Sequence, residues 1–193
     1  VDIAILDTGI QRDHPDLNVA GGIRYYTVTT GKKRGSFQDD RYDDDNGHGT
    51  HVAGIAAAID NDLGVVGVAP GARLWSVRVL DASGNGWVSD IIKGIDWVTA
   101  NAAEIEVANM SLGGQGVSTA YREAIQGSVA AGVVYVVASG NNYRDILGAD
   151  GLVLELLRRL VDLGDHVIDI ALVLDARSDP VELGIAAEAE VAA

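Results

Sequence analysis

The histidine in the run NGHGTHVAG, Asn46 to Gly54, lies where a glycine-rich loop passes into an apolar stretch that suits a helix. Imidazole titrates near neutral pH, so a histidine held at the start of a helix is suited to proton transfer. The glycines beside His48 let other backbone approach it closely. A lone histidine is more often a packed residue, so a catalytic role for His48 depends on partners elsewhere in the chain.

Two further polar groups follow strand-like apolar runs. Asp7 ends the run VDIAIL within LDTG, and Asn141 lies in SGNN after the run VVYVVA. Because ligand sites in α/β sheets lie at the carboxyl ends of the strands, these residues and His48 could converge at one edge. Each has a structural alternative as a turn residue. A DTG loop is also typical of aspartic proteases, but that chemistry needs a second such loop or a dimer, and no second DTG occurs.

The elements that would position these residues alternate along the chain. Apolar runs predict strands at 1–6, 73–80, 105–110 and 133–138, and helical patterns cover 52–59, 88–100 and 118–131. This alternation predicts the α/β class, with a parallel sheet and helices on both faces. The polar stretch 31–45 is interpreted as a solvated surface loop, with a second cation site around Asp43 and Asp44 as the less favoured alternative.

Composition excludes several classes of function. A chain of 193 residues with 48% hydrophobic content can form one well-packed domain, and without cysteine it has neither disulfides nor a thiol nucleophile. The net charge of −14 argues against binding nucleic acid. No apolar run reaches the roughly 18 residues of a membrane span. Because the chain opens at Val1 inside a strand, without an initiator methionine, a fragment or processed form is expected.

Six motifs then point to a family. DTGI, HPDL, NGHGTHVAG, GVAP, NMSLGG and ASGNN occur in the order, and with similar gaps, of the subtilisin-like serine proteases, the subtilases, which the chain resembles over residues 1 to about 143. The resemblance implies a subtilisin-like fold and a secreted, monomeric serine endopeptidase that acts on extended polypeptides. It implies that Asp7 orients the imidazole, His48 is the general base and acid, and the Asn141 amide stabilises the oxyanion.

The same resemblance implies substrate-binding and metal-binding residues. One edge of the cleft would be Gly84, Asn85 and Gly86, the opposite wall Ser111, Leu112 and Gly113, and the primary specificity pocket Ala138, Ser139 and Gly140. A structural calcium ion would bind the side chains of Asp16 and Asn61 and the carbonyls of Ile59, Leu63 and Val65.

The resemblance stops before the nucleophile. A subtilase should continue to a GTSMA motif that carries the catalytic serine, and the sequence contains no such motif. Residues 144–193 also differ in composition, with four arginines against eleven acidic residues and no aromatic residue, lysine or threonine. We interpret 1–143 as a partial subtilase catalytic domain and 144–193 as a divergent tail whose pattern predicts helix-strand-helix. Its origin is open between a designed replacement, natural divergence and out-of-frame translation, the last being favoured.

Without its serine, the chain is predicted to be inactive. Two alternatives to an enzyme stay open. One is a non-catalytic module that keeps the cleft and binds extended peptides, and the other is a calcium-stabilised structural domain without a ligand. Peptide titration would separate them, because only the first should show saturable binding that depends on Gly84 or Gly113.

Overall fold

The computed structural model describes residues 1–31, 33–114 and 118–138, and it contains six strands and three helices there. Their order is β1 Asp2–Asp7, β2 Val19–Thr30, β3 Lys33–Asp39, α1 His48–Ala57, β4 Arg73–Arg78, α2 Val88–Ala100, β5 Val107–Met110, α3 Thr119–Ala130 and β6 Val134–Val137. None of these helices is long and apolar enough to cross a membrane, a finding that covers only the described ranges.

The strands form one sheet in the order β3-β2-β4-β1-β5-β6. Every neighbouring pair is parallel except β2 and β3, so the sheet is mixed. This arrangement confirms the predicted α/β class. Strand β1 lies inside the sheet, between β4 and β5, and all six of its residues are buried. The carboxyl end of β1 therefore lies between the carboxyl ends of β4 and β5, away from the edge strands.

Helices cover both faces of the sheet, and β1 contributes to both apolar layers. Ile3 and Ile5 belong to the cluster that contains residues of α1, whereas Ala4 and Leu6 belong to the cluster that contains residues of α2 and α3. Successive side chains of a strand point to opposite faces, so the odd-numbered positions face α1. Asp7 continues the odd series, which directs its side chain towards the helix that begins at His48.

The interpretation of 31–45 as a solvated loop is wrong for 33–39, which form β3. This strand pairs antiparallel with β2 at the sheet edge. The hairpin is fixed to α2 by the buried carboxylate of Asp90, which accepts hydrogen bonds from Thr27 Oγ1 at 2.9 Å and Ser36 Oγ at 2.8 Å. An edge strand is exposed along one side and tolerates charged residues, so it lacks the apolar run that marked the inner strands.

Candidate active site

The carboxylate and imidazole picked out from the sequence are in direct contact. Asp7 is the last residue of β1 and is fully buried, and His48 is the first residue of α1. The distance between His48 Nδ1 and Asp7 Oδ1 is 2.8 Å, and the Thr8 backbone N–H donates to the same oxygen at 2.7 Å. An acceptor at Nδ1 favours the tautomer whose lone pair lies on Nε2, which is the form that a general base requires.

The second oxygen of the Asp7 carboxylate is also buried. Oδ2 has no hydrogen-bond partner within residues 1–31, 33–114 and 118–138. A buried carboxylate charge is costly unless it is paired, and the imidazole of His48 is the adjacent group that can become positive. The carboxylate is therefore placed to stabilise positive charge that develops on the imidazole during proton transfer.

Close contact between α1 and β1 depends on Gly49. A Cβ atom placed on Gly49 would overlap the carbonyl oxygen of Gly9 and lie 3.1 Å from the Asp7 Cβ atom. Only glycine lets the first turn of the helix approach the strand end this closely. Gly49 therefore makes room for the Gly9 backbone beside Asp7. Gly47, at φ +99°, differs, because a Cβ atom added there would meet no atom of the described residues within 4 Å.

A buried arginine holds the loop that precedes His48. Arg78 is the last residue of β4 and is paired in register with Asp7, and its side chain is only 5% exposed. Its guanidinium lies 2.8 Å from Asp45 Oδ2 and donates to the Asp43 carbonyl. Arg78 was not among the site residues predicted from the sequence. The available signal was a charged residue near the end of the otherwise mostly apolar run RLWSVRVL.

The acidic stretch near this loop does not resemble a cation site. Arg12 Nε lies 2.9 Å from Asp43 Oδ2, and Arg41 Nη2 lies 2.9 Å from Asp39 Oδ2. Within the part of the chain that the structure describes, no three histidine, cysteine or acidic residues are grouped as metal ligands. Arg12 thus neutralises Asp43, and both oxygens of Asp44 already accept hydrogen bonds from Thr8 and Thr50. The second cation site around Asp43 and Asp44 stays the less favoured hypothesis.

The residues expected to line a cleft follow strands that end at the same sheet edge. Ser111, Leu112 and Gly113 follow β5, and Ala138 follows β6 and donates its N–H to the Met110 carbonyl at 3.3 Å. Among the described residues, no atom lies within 4 Å of a Cβ atom added to Gly113, so the space beside it is open with respect to that part of the chain. Ser139, Gly140 and Asn141 lie outside the described residues.

The expected opposite edge of the cleft is a tight loop after β4. Gly84 has a φ of +76°, and the Asp81 carboxylate accepts the Asn85 N–H at 3.0 Å. A Cβ atom on Gly86 would lie 2.5 Å from the Val79 carbonyl oxygen, so this position requires glycine. Strand order places the loop after β4 on one side of β1 and residues 111–113 on the other. The two expected walls thus flank Asp7.

The loop after β4 is also hydrogen-bonded to the residues that immediately precede α1. Asn46 lies two residues before His48, and its Nδ2 atom donates a hydrogen bond to the carbonyl oxygen of Ala82 at 2.9 Å. The Asn46 Oδ1 atom accepts the backbone N–H of His48 at 3.1 Å, so the Asn46 side chain bridges the expected cleft edge and the first residue of α1.

The residues expected to bind calcium also lie together in part. Asp16 is 5% exposed, and its Oδ1 atom accepts a hydrogen bond from Asn61 Nδ2 at 3.0 Å. The Ile59 N–H donates to the Asp16 carbonyl at 3.0 Å, which holds the loop 59–65 against this residue. No ion pair to the Asp16 carboxylate occurs among the described residues. A buried, unpaired carboxylate beside an amide is chemically suited to a hard cation, although the Asn61 amide would have to turn its oxygen inward.

An α/β sheet whose rim pairs a buried carboxylate with an imidazole is typical of hydrolases of the Asp/His/Ser class. The chain belongs to the subtilase family, because the model of that family matches residues 1–153. The resemblance inferred from the six motifs is thereby confirmed.

Curated relatives agree with this assignment. Subtilisin DY from Bacillus licheniformis is 45% identical over 142 residues, which cover 74% of this chain and 47% of that protein. Subtilisin E from Bacillus subtilis (strain 168) is 45% identical over 141 residues, 73% of this chain and 34% of that protein. Subtilisin Savinase from Lederbergia lenta is 44% identical over 142 residues, 74% of this chain and 48% of that protein. The chain thus spans less than half of the length of these relatives.

Proposed function

We propose that residues 1–141 supply the acid, base and oxyanion donor of a subtilase-type endopeptidase centre. The observation that supports this most strongly is the 2.8 Å contact between Asp7 and His48 at the edge of a subtilase sheet. Asp7 orients the ring and stabilises its positive charge, and His48 takes a proton from the nucleophile and returns it to the leaving amine. The Asn141 amide donates to the tetrahedral oxyanion, a role that rests on family resemblance.

The proposed substrate is an extended polypeptide. It lies between the loop Gly84, Asn85 and Gly86 and the wall Ser111, Leu112 and Gly113, with main-chain hydrogen bonds to both. Ala138, Ser139 and Gly140 line the pocket for the side chain next to the cleaved bond. Open space at Gly113 supports this arrangement, because a substrate backbone needs a surface without side chains. By the same resemblance the protein is secreted and monomeric.

The sequence provides no serine in a GTSMA context, so the chain by itself is proposed to be inactive. A cleft without a nucleophile can still bind peptide, and the non-catalytic module is therefore the alternative that we retain. The division into a partial catalytic domain, 1–143, and a tail, 144–193, remains a proposal.

Peptide binding tests the proposed cleft directly. An unstructured peptide labelled with a fluorophore should bind the chain saturably in an anisotropy titration. Replacing Gly113 by valine should weaken binding by about tenfold or more, because a side chain would fill the space needed by the substrate backbone.

The control for this titration is Gly127→Val, a replacement on α3 at a glycine whose Cβ would also meet nothing within 4 Å. It should leave the dissociation constant unchanged. Equal weakening by both variants, or no saturable binding by the unaltered chain, would contradict the proposed cleft.

We also propose a structural calcium ion held by Asp16, Asn61 and the carbonyls of Ile59, Leu63 and Val65. Millimolar calcium should raise the melting temperature of the chain, since a ligand at 100 times its dissociation constant stabilises by about 2.7 kcal/mol. Asp16→Asn should abolish the rise, because it removes the carboxylate charge that calcium requires. Differential scanning fluorimetry with calcium or with EDTA measures both effects.

The matched control is Asp13→Asn, which alters an exposed carboxylate in the same loop. It should keep the full calcium-dependent rise in melting temperature. If the unaltered chain melts at the same temperature with calcium and with EDTA, the calcium proposal is wrong.

A further inference from the structure

Asp44, four residues before His48, accepts hydrogen bonds at both of its carboxylate oxygens. Oδ1 accepts the hydroxyl of Thr8 at 2.8 Å and the backbone N–H groups of Asn46 at 3.0 Å and Gly47 at 2.9 Å. Oδ2 accepts the backbone N–H of Thr50 at 2.9 Å and its hydroxyl at 2.6 Å. One side chain therefore satisfies two of the N–H groups at the start of α1 that have no partner within the helix.

These bonds connect the two elements that carry the candidate catalytic pair. Thr8 follows Asp7 in the chain, and its hydroxyl also accepts the Gly49 N–H at 2.9 Å. Gly47 and Thr50 lie on either side of His48. Asp44 thus holds the end of β1 and the first turn of α1 at a fixed separation, next to the 2.8 Å contact between Asp7 and His48.

We propose that Asp44 is a positioning residue, which holds the His48 ring in hydrogen-bond contact with Asp7 without touching substrate itself. The importance of this positioning for catalysis rests on the proposed function, whereas the positioning can be measured without any turnover. Asp44 acts through Thr8 on one side of the pair and through Gly47 and Thr50 on the other.

The ionised form of Asp44 is the one that fits its surroundings, because all five of its contacts are donors. Desolvation alone would raise the pKa of Asp44, but hydrogen bonds from the Thr50 hydroxyl and from the N–H groups of Gly47, Thr50 and Asn46 lower it overall. A neutral acid would direct its own proton at one of these donors. Asp44 therefore needs its negative charge to make these hydrogen bonds at neutral pH.

The neighbouring carboxylates differ in their partners. Asp43 binds Arg12 through its side chain, and Asp45 binds Arg78. Their side chains are 48% and 64% exposed, and within the described part of the chain neither carboxylate is hydrogen-bonded to Thr8 or to the first turn of α1. Asp43 lies in the same loop and also makes hydrogen bonds, so it serves as a matched control.

The test follows the Nδ1 proton of His48 by NMR in the full chain labelled with 15N-histidine. The resonance is assigned by its loss in His48→Ala, and its exchange with water is measured at neutral pH. In Asp44→Ala the exchange should be at least about tenfold faster, because hydrogen bonds to a charged acceptor no longer resist local opening. In Asp43→Ala it should be unchanged.

Circular dichroism must show that both variants are folded. An unchanged exchange rate in folded Asp44→Ala, or equal acceleration in Asp43→Ala, would overturn the proposal. If Asp44→Ala does not fold, Thr50→Val removes the hydroxyl donor to Oδ2 at similar side-chain volume and should accelerate exchange by a few-fold. Unchanged exchange in folded Thr50→Val would then refute it.

Failure of the proposed function gives a different result. The unaltered chain would bind no peptide, while the Nδ1 proton of His48 would remain protected and would still depend on Asp44. Loss of positioning alone would show the reverse pattern, with peptide bound and the proton unaffected by Asp44→Ala.

Discussion

The chain is expected to hydrolyse an unstructured protein substrate about 10⁶-fold more slowly than subtilisin E does under the same conditions. In the proposed centre Asp7 and His48 would move a proton, but the sequence offers them no serine hydroxyl in a GTSMA context to activate. Loss of the serine costs about 2 × 10⁶ in kcat, a value established on a subtilisin and therefore on a member of this family. Release of fluorescent fragments from labelled casein measures the difference.

The variant His48→Ala distinguishes hydrolysis by the chain itself from hydrolysis by a contaminating protease. Without a nucleophile the imidazole has nothing to deprotonate, so His48→Ala should release fragments at the same rate as the unaltered chain. Turnover by the unaltered chain that disappears in His48→Ala would show that the chain does possess a nucleophile. The prediction of an inactive chain would then be wrong.

Replacing Gly49 by alanine is expected to cost more than about 3 kcal/mol in the free energy of unfolding. The added Cβ would overlap the Gly9 carbonyl oxygen, and neither the buried strand end nor the first turn of α1 can move away without opening the contact between Asp7 and His48. The total free energy of unfolding of a typical domain is only about 5 to 15 kcal/mol. Urea unfolding followed by tryptophan fluorescence measures the loss.

Gly54→Ala provides the comparison within the same helix. A Cβ on Gly54 would meet no atom of the described residues within 4 Å, so only helix propensity should act. The free energy of unfolding of the variant should rise by up to about 1 kcal/mol. If Gly49→Ala and Gly54→Ala unfolded at the same urea concentration, the close approach of α1 to β1 would not be a constraint.

Most of the inner elements were predictable because their sequence patterns are strong. The helical pattern at 88–100 coincides with α2, Val88–Ala100, and the apolar run 1–6 gave β1 within one residue. The β2–β3 hairpin was missed because its stability comes from edge pairing and from hydroxyl bonds to Asp90, a residue more than fifty positions away. Long-range contacts of this kind leave no local periodicity.

The candidate site was predictable only in part for the same reason. Asp7 and His48 were found because each lies at an element boundary within a recognisable motif. Asp44 was considered only as part of a second cation site, because in a run of aspartates one carboxylate that binds Thr8 cannot be told from two that bind arginines. The difference between them lies in which backbone N–H groups face each carboxylate, and that depends on the folded loop.

Because successive β1 side chains point to two different helix layers, the direction of the Asp7 carboxylate depends on the number of residues in β1. Ile3, Ile5 and Asp7 share one face of the strand, and Ala4 and Leu6 share the other. Deleting or inserting a single amino acid in β1 ahead of Asp7 would exchange the two faces of the strand. The Asp7 carboxylate would then point into the apolar layer of α2 and α3, away from His48. Side-chain exchange in β1 is therefore limited by the volume of two packed layers, whereas the number of residues ahead of Asp7 is limited by parity and should change only in steps of two.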